Sequence, residues 1–147
     1  MTRTLTGGCQ CGRIRYTARL ENDDAGLCHC AMCRKATGGI AGTFVEVATD
    51  AVTWDHEPDA YDSSPIAQRL FCGRCGSPLG WRPRKGERMD LMVGGFDDPS
   101  RFRPVAHAGA ERIIEAWLDT SALPRYETTA IASTVALWKD AGREVPE

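Results

Sequence analysis

Seven cysteines fall in three tight groups, and this grouping limits the fold more than any other feature of the chain. Cys9 and Cys11 stand in GGCQCG, Cys28, Cys30 and Cys33 in GLCHCAMCRK, and Cys72 and Cys75 in FCGRCG. An odd number cannot all pair as disulfides, and gaps of one and two residues suit thiolates that share a metal ion. Zinc is the expected ion, because short-spaced thiolates are soft ligands that fill a tetrahedron at about 2.3 Å. The alternative, buried free thiols packed as small apolar groups, does not account for clustering beside glycines. Those glycines let the backbone curl until neighbouring thiols face one point.

Seven ligands divide as four and three. One division joins Cys30 and Cys33 to Cys72 and Cys75, a ribbon-like pattern with 38 residues between the pairs. That gap is long for a compact zinc ribbon. The other joins Cys9 and Cys11 to Cys72 and Cys75 and leaves Cys28, Cys30 and Cys33 as a local triad. It uses each group whole and is preferred on spacing. Four thiolates close a zinc site, which is then structural. Three leave a position for water or substrate. A soft three-thiolate site suits an incoming thiol, whose pKa a zinc ion lowers. A second structural zinc, completed by His29, His56, His107 or a carboxylate, is the competing expectation for the triad.

With 147 residues and 42% hydrophobic side chains, the chain fits one domain with a real core. The net charge of −2 and pI near 5.9 argue against nucleic acid as a partner. No apolar run nears the roughly 20 residues of a membrane span, and the start MTRTLTGGCQ has no signal-peptide core. The cytoplasm, where thiols stay reduced, is the expected location.

The pattern is mainly β. RIRYTARL sets Ile14, Tyr16, Ala18 and Leu20 on one face and Arg13, Arg15, Thr17 and Arg19 on the other, a half-buried strand with a solvated arginine row. GTFVEV and AVTWD read as strands, AQRLFCGRCGSPLGWRP as strand, cysteine turn and strand, and RMDLMVGGF as a strand inward through Met89, Leu91 and Val93. DDPSRFRP is a loop with room for one helical turn, and ERIIEAWL is ambiguous. One helix is expected at about 128–142, with Ile131, Val135 and Trp138 at helical spacing and Gly142 as its stop. Trp54, Trp81, Trp117 and Trp138 are expected in the core.

GGCQCGRIRY, CHCAMCRKATG, RLFCGRCGSPLGW, VGGFDDP and AWLDTSALPRYE occur in the order typical of the glutathione-dependent formaldehyde-activating family, whose domain also occurs in centromere protein V. The resemblance runs from Gly7 to Glu127. It implies a compact zinc-stapled β-sandwich of the type also found in B-type methionine sulfoxide reductases, with one short C-terminal helix, as a single domain over 1–147 with its core at 7–127. It implies a structural zinc on Cys9, Cys11, Cys72 and Cys75 and a catalytic zinc on Cys28, Cys30 and Cys33. The implied activity is that of a carbon–sulfur lyase run in the synthetic direction, joining formaldehyde to the thiol of glutathione or a related small thiol. Family members often carry an aromatic residue after the histidine that matches His107; here Ala108 follows.

Arg34 and Lys35 follow the last triad ligand and are candidates to attract a substrate carboxylate or a developing oxygen charge. His29 lies between two ligands and is the candidate for proton transfer, whereas His56 and His107 are expected at the surface. The triad zinc is expected to be the more labile of two per chain. Two other functions compete. A non-catalytic zinc module would bind a protein partner. Methionine sulfoxide reduction would need a late catalytic cysteine near an asparagine, but no cysteine follows Cys75 and the only asparagine is Asn22.

Overall fold

The computed structural model describes residues 2–146. Its strands are β1 (Arg3–Gly8), β2 (Arg15–Leu20), β3 (Asp24–Cys28), β4 (Gly42–Ala48), β5 (Val52–Trp54), β6 (Asp59–Ser64), β7 (Ala67–Phe71), β8 (Pro78–Pro83), β9 (Arg88–Met92) and β10 (Arg103–Ala108). Its helices are α1 (Ala31–Thr37) and α2 (Ala132–Asp140). The chain separates into two compact units, one reaching to Ile113 and one starting at Ile114.

The first unit holds two sheets. β1, β2 and β5 form a three-stranded antiparallel sheet. The other sheet has seven strands in the order β10-β3-β4-β9-β8-β7-β6. Its pairs are antiparallel except β10 with β3, which run parallel. The mainly β expectation therefore holds, as a two-sheet sandwich.

Alternation explains the core. Ile14, Tyr16, Ala18 and Leu20 are all buried, as their period of two requires. They join Val45 and Val47 of β4, Leu70 of β7, Leu79 of β8, and Met89 and Leu91 of β9 in one apolar cluster between the sheets. Tyr16 packs edge-on against both Trp54 and Phe96, with ring centroids 5.2 and 5.4 Å away. The arginine row lies outside this core and is held by surface partners. Arg13 pairs with Asp59 at 2.6 Å, Arg15 with Asp97, and Arg19 reaches the Asp50 carbonyl at 3.4 Å. Val93 falls just past β9 in a short turn, so the inward alternation ends at Leu91.

Two elements differ from the sequence reading. α1 was not expected: the cysteine-rich segment that reads as a turn continues into seven helical residues ending at Gly38, which has φ of 71°. ERIIEAWL resolves into single tight turns at Ala110–Arg112 and Glu115–Trp117 rather than a helix or strand. DDPSRFRP contributes the one turn expected of it, Pro99–Arg101.

In the second unit, α2 covers the centre of the expected 128–142 helix. A tight turn at Thr128–Ala130 precedes it, and Gly142 with φ of 70° follows. Trp117 is 59% exposed and does not belong to a core, because this unit buries no apolar side chain fully.

Leu79 is fully buried between the sheets. Leu79→Ala should lower unfolding free energy by about 2–5 kcal/mol, the usual cost of a cavity in a packed core. Urea unfolding followed by tryptophan fluorescence measures it. A loss below about 1 kcal/mol would show that the sheets close over the gap.

Candidate metal centres and the adjoining cleft

Four thiols meet where the two sheets are joined. Cys9 and Cys11 lie in the turn from β1 to β2, and Cys72 and Cys75 in the turn from β7 to β8. Their sulfurs all lie within 4.8 Å of one another. Cys9 to Cys11 is 3.6 Å and Cys11 to Cys72 is 3.8 Å, close to the ligand spacing of a zinc tetrahedron. Local bonds shape both turns. The Gly12 amide donates to the Cys9 carbonyl at 3.1 Å and the Gly76 amide to the Cys72 carbonyl at 2.7 Å. Gly76 takes φ of 79°, which other residues rarely adopt. The Gln10 amide donates to Ser77 Oγ at 3.0 Å and ties one turn to the other.

An amide and a guanidinium approach the sulfurs of this cluster. The Ile14 amide donates to Cys9 Sγ at 3.3 Å, and Arg13 Nη1 lies 3.8 Å from Cys72 Sγ. Arg13 also donates to Asp59, which accepts the Gly73 amide as well; these two bonds hold the Asp59 carboxyl down at about 2. His56 is exposed beside Arg13, which donates to its Nε2 at 3.1 Å, so His56 belongs to the edge of this cluster and not to the triad.

The remaining thiols form the second group. Cys28 ends β3, Cys30 caps α1, and Cys33 lies in the first turn of that helix. Their sulfurs also lie within 4.8 Å of one another. The Cys33 amide donates to Cys30 Sγ at 3.3 Å. The division into four and three is thus the one that uses each sequence group whole. Both donor sets fit a soft cation: four sulfurs can close a tetrahedron and three leave it open. Among the described residues no histidine or carboxylate joins the triad.

β10 braces the triad from outside. The His29 amide donates to the Ala108 carbonyl at 2.9 Å. Gly109 follows with φ of 61°, and a Cβ there would stand 3.0 Å from the Cys30 nitrogen. The His29 ring is buried and is not one of the triad's ligand groups. Its Nε2 lies 2.8 Å from Nδ1 of the exposed His107. The two histidines brace β3 against β10.

A cleft of about 810 Å³ opens beside the triad and is lined by Cys28, Cys30 and Cys33 at one end. That volume suits a small ligand. Arg69 of β7 also lines it, and its Nη2 donates to Cys33 Sγ at 3.3 Å. Burial pushes the Cys33 thiol up to about 12, against the pull of Arg69. Burial also works against ionisation of Cys30, but amide bonds from Cys33 and Met32 bring its thiol below the usual range. Arg34 and Lys35 do not line this cleft. Lys35 lines an adjoining cavity of about 530 Å³, whose wall includes Met32 and Arg69 as well. Arg34 is half-buried, with its Nε unpartnered.

Sequence reading did not single out Arg69 or Asp90, and it expected Trp81 in the core; Trp81 is instead half-buried, and all three line the cleft. The signal was present in alternation: Leu70 and Leu91 point inward, so Arg69 and Asp90 must point outward. Register then aligns them, with Arg69 opposite Trp81 and Trp81 opposite Asp90. Register is a long-range property that no single segment displays.

Residues 4–112 match the profile of the family described as glutathione-dependent formaldehyde-activating enzyme. The chain belongs to this family. It is 32% identical over 73 residues to a protein of Schizosaccharomyces pombe named as an uncharacterized lyase, a match covering 50% of this chain and 53% of the relative. The chain thus spans about half the length of that relative. A crystal structure of a Rhodobacter sphaeroides protein superposes with a TM-score of 0.59 at 21% identity, covering 71% of this chain and all of the other. It shows the same fold. No helix among the described residues is long and apolar enough to cross a membrane.

Burial raises the Asp90 carboxyl to about 6; the charge of Glu46 adds to the rise and Arg88 opposes it. The unfolded value is about 4. The folded chain therefore holds a proton between about pH 4 and 6 that the unfolded chain has released, and stability falls as pH rises through 6. Asp90→Asn should abolish this fall. Its melting temperature should gain on wild type between pH 4 and pH 7, as scanning calorimetry can measure. A constant difference would show that Asp90 titrates alike in the folded and unfolded chain.

Proposed function

We propose that this chain is a zinc-dependent enzyme of carbon–sulfur lyase type, acting on a thiol–aldehyde adduct. The named reaction is glutathione plus formaldehyde to S-hydroxymethylglutathione, or its counterpart with a related small thiol. One observation carries the reading: three thiols with an open fourth side stand at the end of a ligand-sized cleft, with a guanidinium against one of them. Family membership and the lyase name of the yeast relative support it. The domain is taken as running over the whole of 1–147, in a reducing compartment where free thiols persist.

Cys28, Cys30 and Cys33 would hold the catalytic zinc, and Cys9, Cys11, Cys72 and Cys75 the structural one. A bound zinc supplies positive charge that favours the thiolate form of an incoming thiol at neutral pH. The chain's own residues handle the rest. The substrate sulfur attacks the aldehyde carbon, a carbon–sulfur bond forms, and the carbonyl π pair moves onto oxygen. The proton lost from the thiol ends on that oxygen. Among the described residues the Arg69 guanidinium makes one hydrogen bond, to Cys33, and its other N–H groups can meet the developing oxygen charge. Lys35, in the adjoining cavity, is placed to read a substrate carboxylate, with Arg34 beside it in sequence as the weaker candidate. The apolar wall of the cleft limits competing water.

Purified zinc-loaded protein should speed formation or breakdown of the glutathione–formaldehyde adduct, followed by NMR exchange. Cys30→Ser should remove the gain while the fold persists, and Arg69→Gln should reduce it by about 10-fold or more, the usual scale for a lost anion-stabilising donor. The exposed Trp117, Tyr126 and Leu137 favour one rival reading, a zinc module that binds a protein. Equal rates with and without the chain, across several thiols, would leave that rival standing.

Metal loss should be unequal. Cys9 and Cys75 tie distant segments together, and a structural zinc contributes folding free energy on the order of 10 kcal/mol. Cys9→Ser and Cys72→Ser should therefore melt well below Cys33→Ser. Mild chelation should take the triad zinc first, leaving between one and two zincs per chain by metal analysis. A preparation that keeps the triad zinc and loses the other would reverse the two assignments.

A further inference from the structure

The outer face of the seven-stranded sheet carries an ordered row of side chains. Glu46, Asp90, Trp81 and Arg69 are successive register partners on β4, β9, β8 and β7. Cross-strand partners share a face, and strands stand about 4.8 Å apart. All four line the cleft. Arg69 reaches Cys33 Sγ at 3.3 Å, so this end of the row marks the sulfur site. Asp90 lies two strands further on, its backbone about 10 Å from that of Arg69. Trp81, half-buried, forms the floor between them.

Asp90 differs from its neighbours in lacking a partner. Glu46 accepts from Arg88 Nε at 2.6 Å, and Arg88 also approaches Glu21 at 3.6 Å. Among the described residues Asp90's carboxyl has neither a hydrogen bond nor an ion pair, although the residue is half-buried. A carboxylate in that position gains most from a cation carried in by a ligand.

The geometry points to Asp90 as a specificity-determining residue that receives the ammonium group of the substrate thiol, so that the cleft selects thiols whose ammonium reaches past Trp81, two strands along from Arg69. This rests on the thiol reading above. A γ-glutamyl-cysteinyl peptide meets the requirement. Eight bonds separate its sulfur from its ammonium nitrogen, and an extended chain advances about 1.2 Å per bond, giving about 10 Å. Free cysteine has only three such bonds and falls short. Between the two ends, the peptide planes of the ligand would lie on Trp81. The burial that raises the Asp90 carboxyl in the free protein is offset when the ammonium arrives.

The test compares glutathione with glutaryl-cysteinyl-glycine, which has the same skeleton with hydrogen in place of the ammonium. Binding of each to zinc-loaded wild type and Asp90→Asn is measured by calorimetry at pH 7.5. Wild type should bind glutathione about 10-fold more tightly than the analogue, the usual worth of a charge-assisted bond. Asp90→Asn should bind the two equally, with unchanged affinity for the analogue. Equal binding of both thiols to wild type, or a preference that survives in Asp90→Asn, overturns the assignment and leaves thiol chemistry in place. Failure of wild type to bind either thiol overturns the thiol reading, and this assignment with it.

Discussion

The meeting of four sulfurs between the β1–β2 turn and the β7–β8 turn is the constraint on which the rest depends. Each turn belongs to a different sheet, so the cluster fixes one sheet's edge to the other. With that edge fixed, the inward faces of β2, β4, β7, β8 and β9 close on one apolar core. The outward face of the larger sheet is thereby free to carry chemistry. Arg69, Trp81 and Asp90 stand there because Leu70 and Leu91 stand on the other side.

Much of this arrangement is legible in the sequence. The alternation of Ile14, Tyr16, Ala18 and Leu20 identifies β2 and its buried side, and the spacing of the cysteines separates four from three. Gly142 marks the end of α2. These are local signals, carried by residues a few positions apart. What escaped is of two kinds. α1 is seven residues long and has almost no apolar stripe of its own; its formation depends on the Cys30 cap and the Gly38 stop as much as on its composition. The cleft row is the other kind. Arg69 and Asp90 lie 21 positions apart in sequence and share the cleft only through the register of three strands.

The histidines show how a short-range reading can place a residue well and still leave its role open. His29 stays out of the sulfur group although it lies between two of its members in sequence. The contact it makes instead is with His107, on a strand that pairs in parallel and arrives from far along the chain. Parallel pairing needs a long crossover, so nothing near His29 announces its partner. A close approach of Gly109 to Cys30 completes this brace.

The two sulfur clusters differ in how they are written in the chain. One draws its members from segments more than 60 residues apart, the other from the six residues 28–33. A change within that six-residue segment alters the open cluster and leaves the junction of the sheets intact. The scaffold and its chemistry are consequently heritable as separate traits. A lineage can discard or rebuild the reactive end of the cleft while the four-sulfur junction of the two sheets is passed on unchanged.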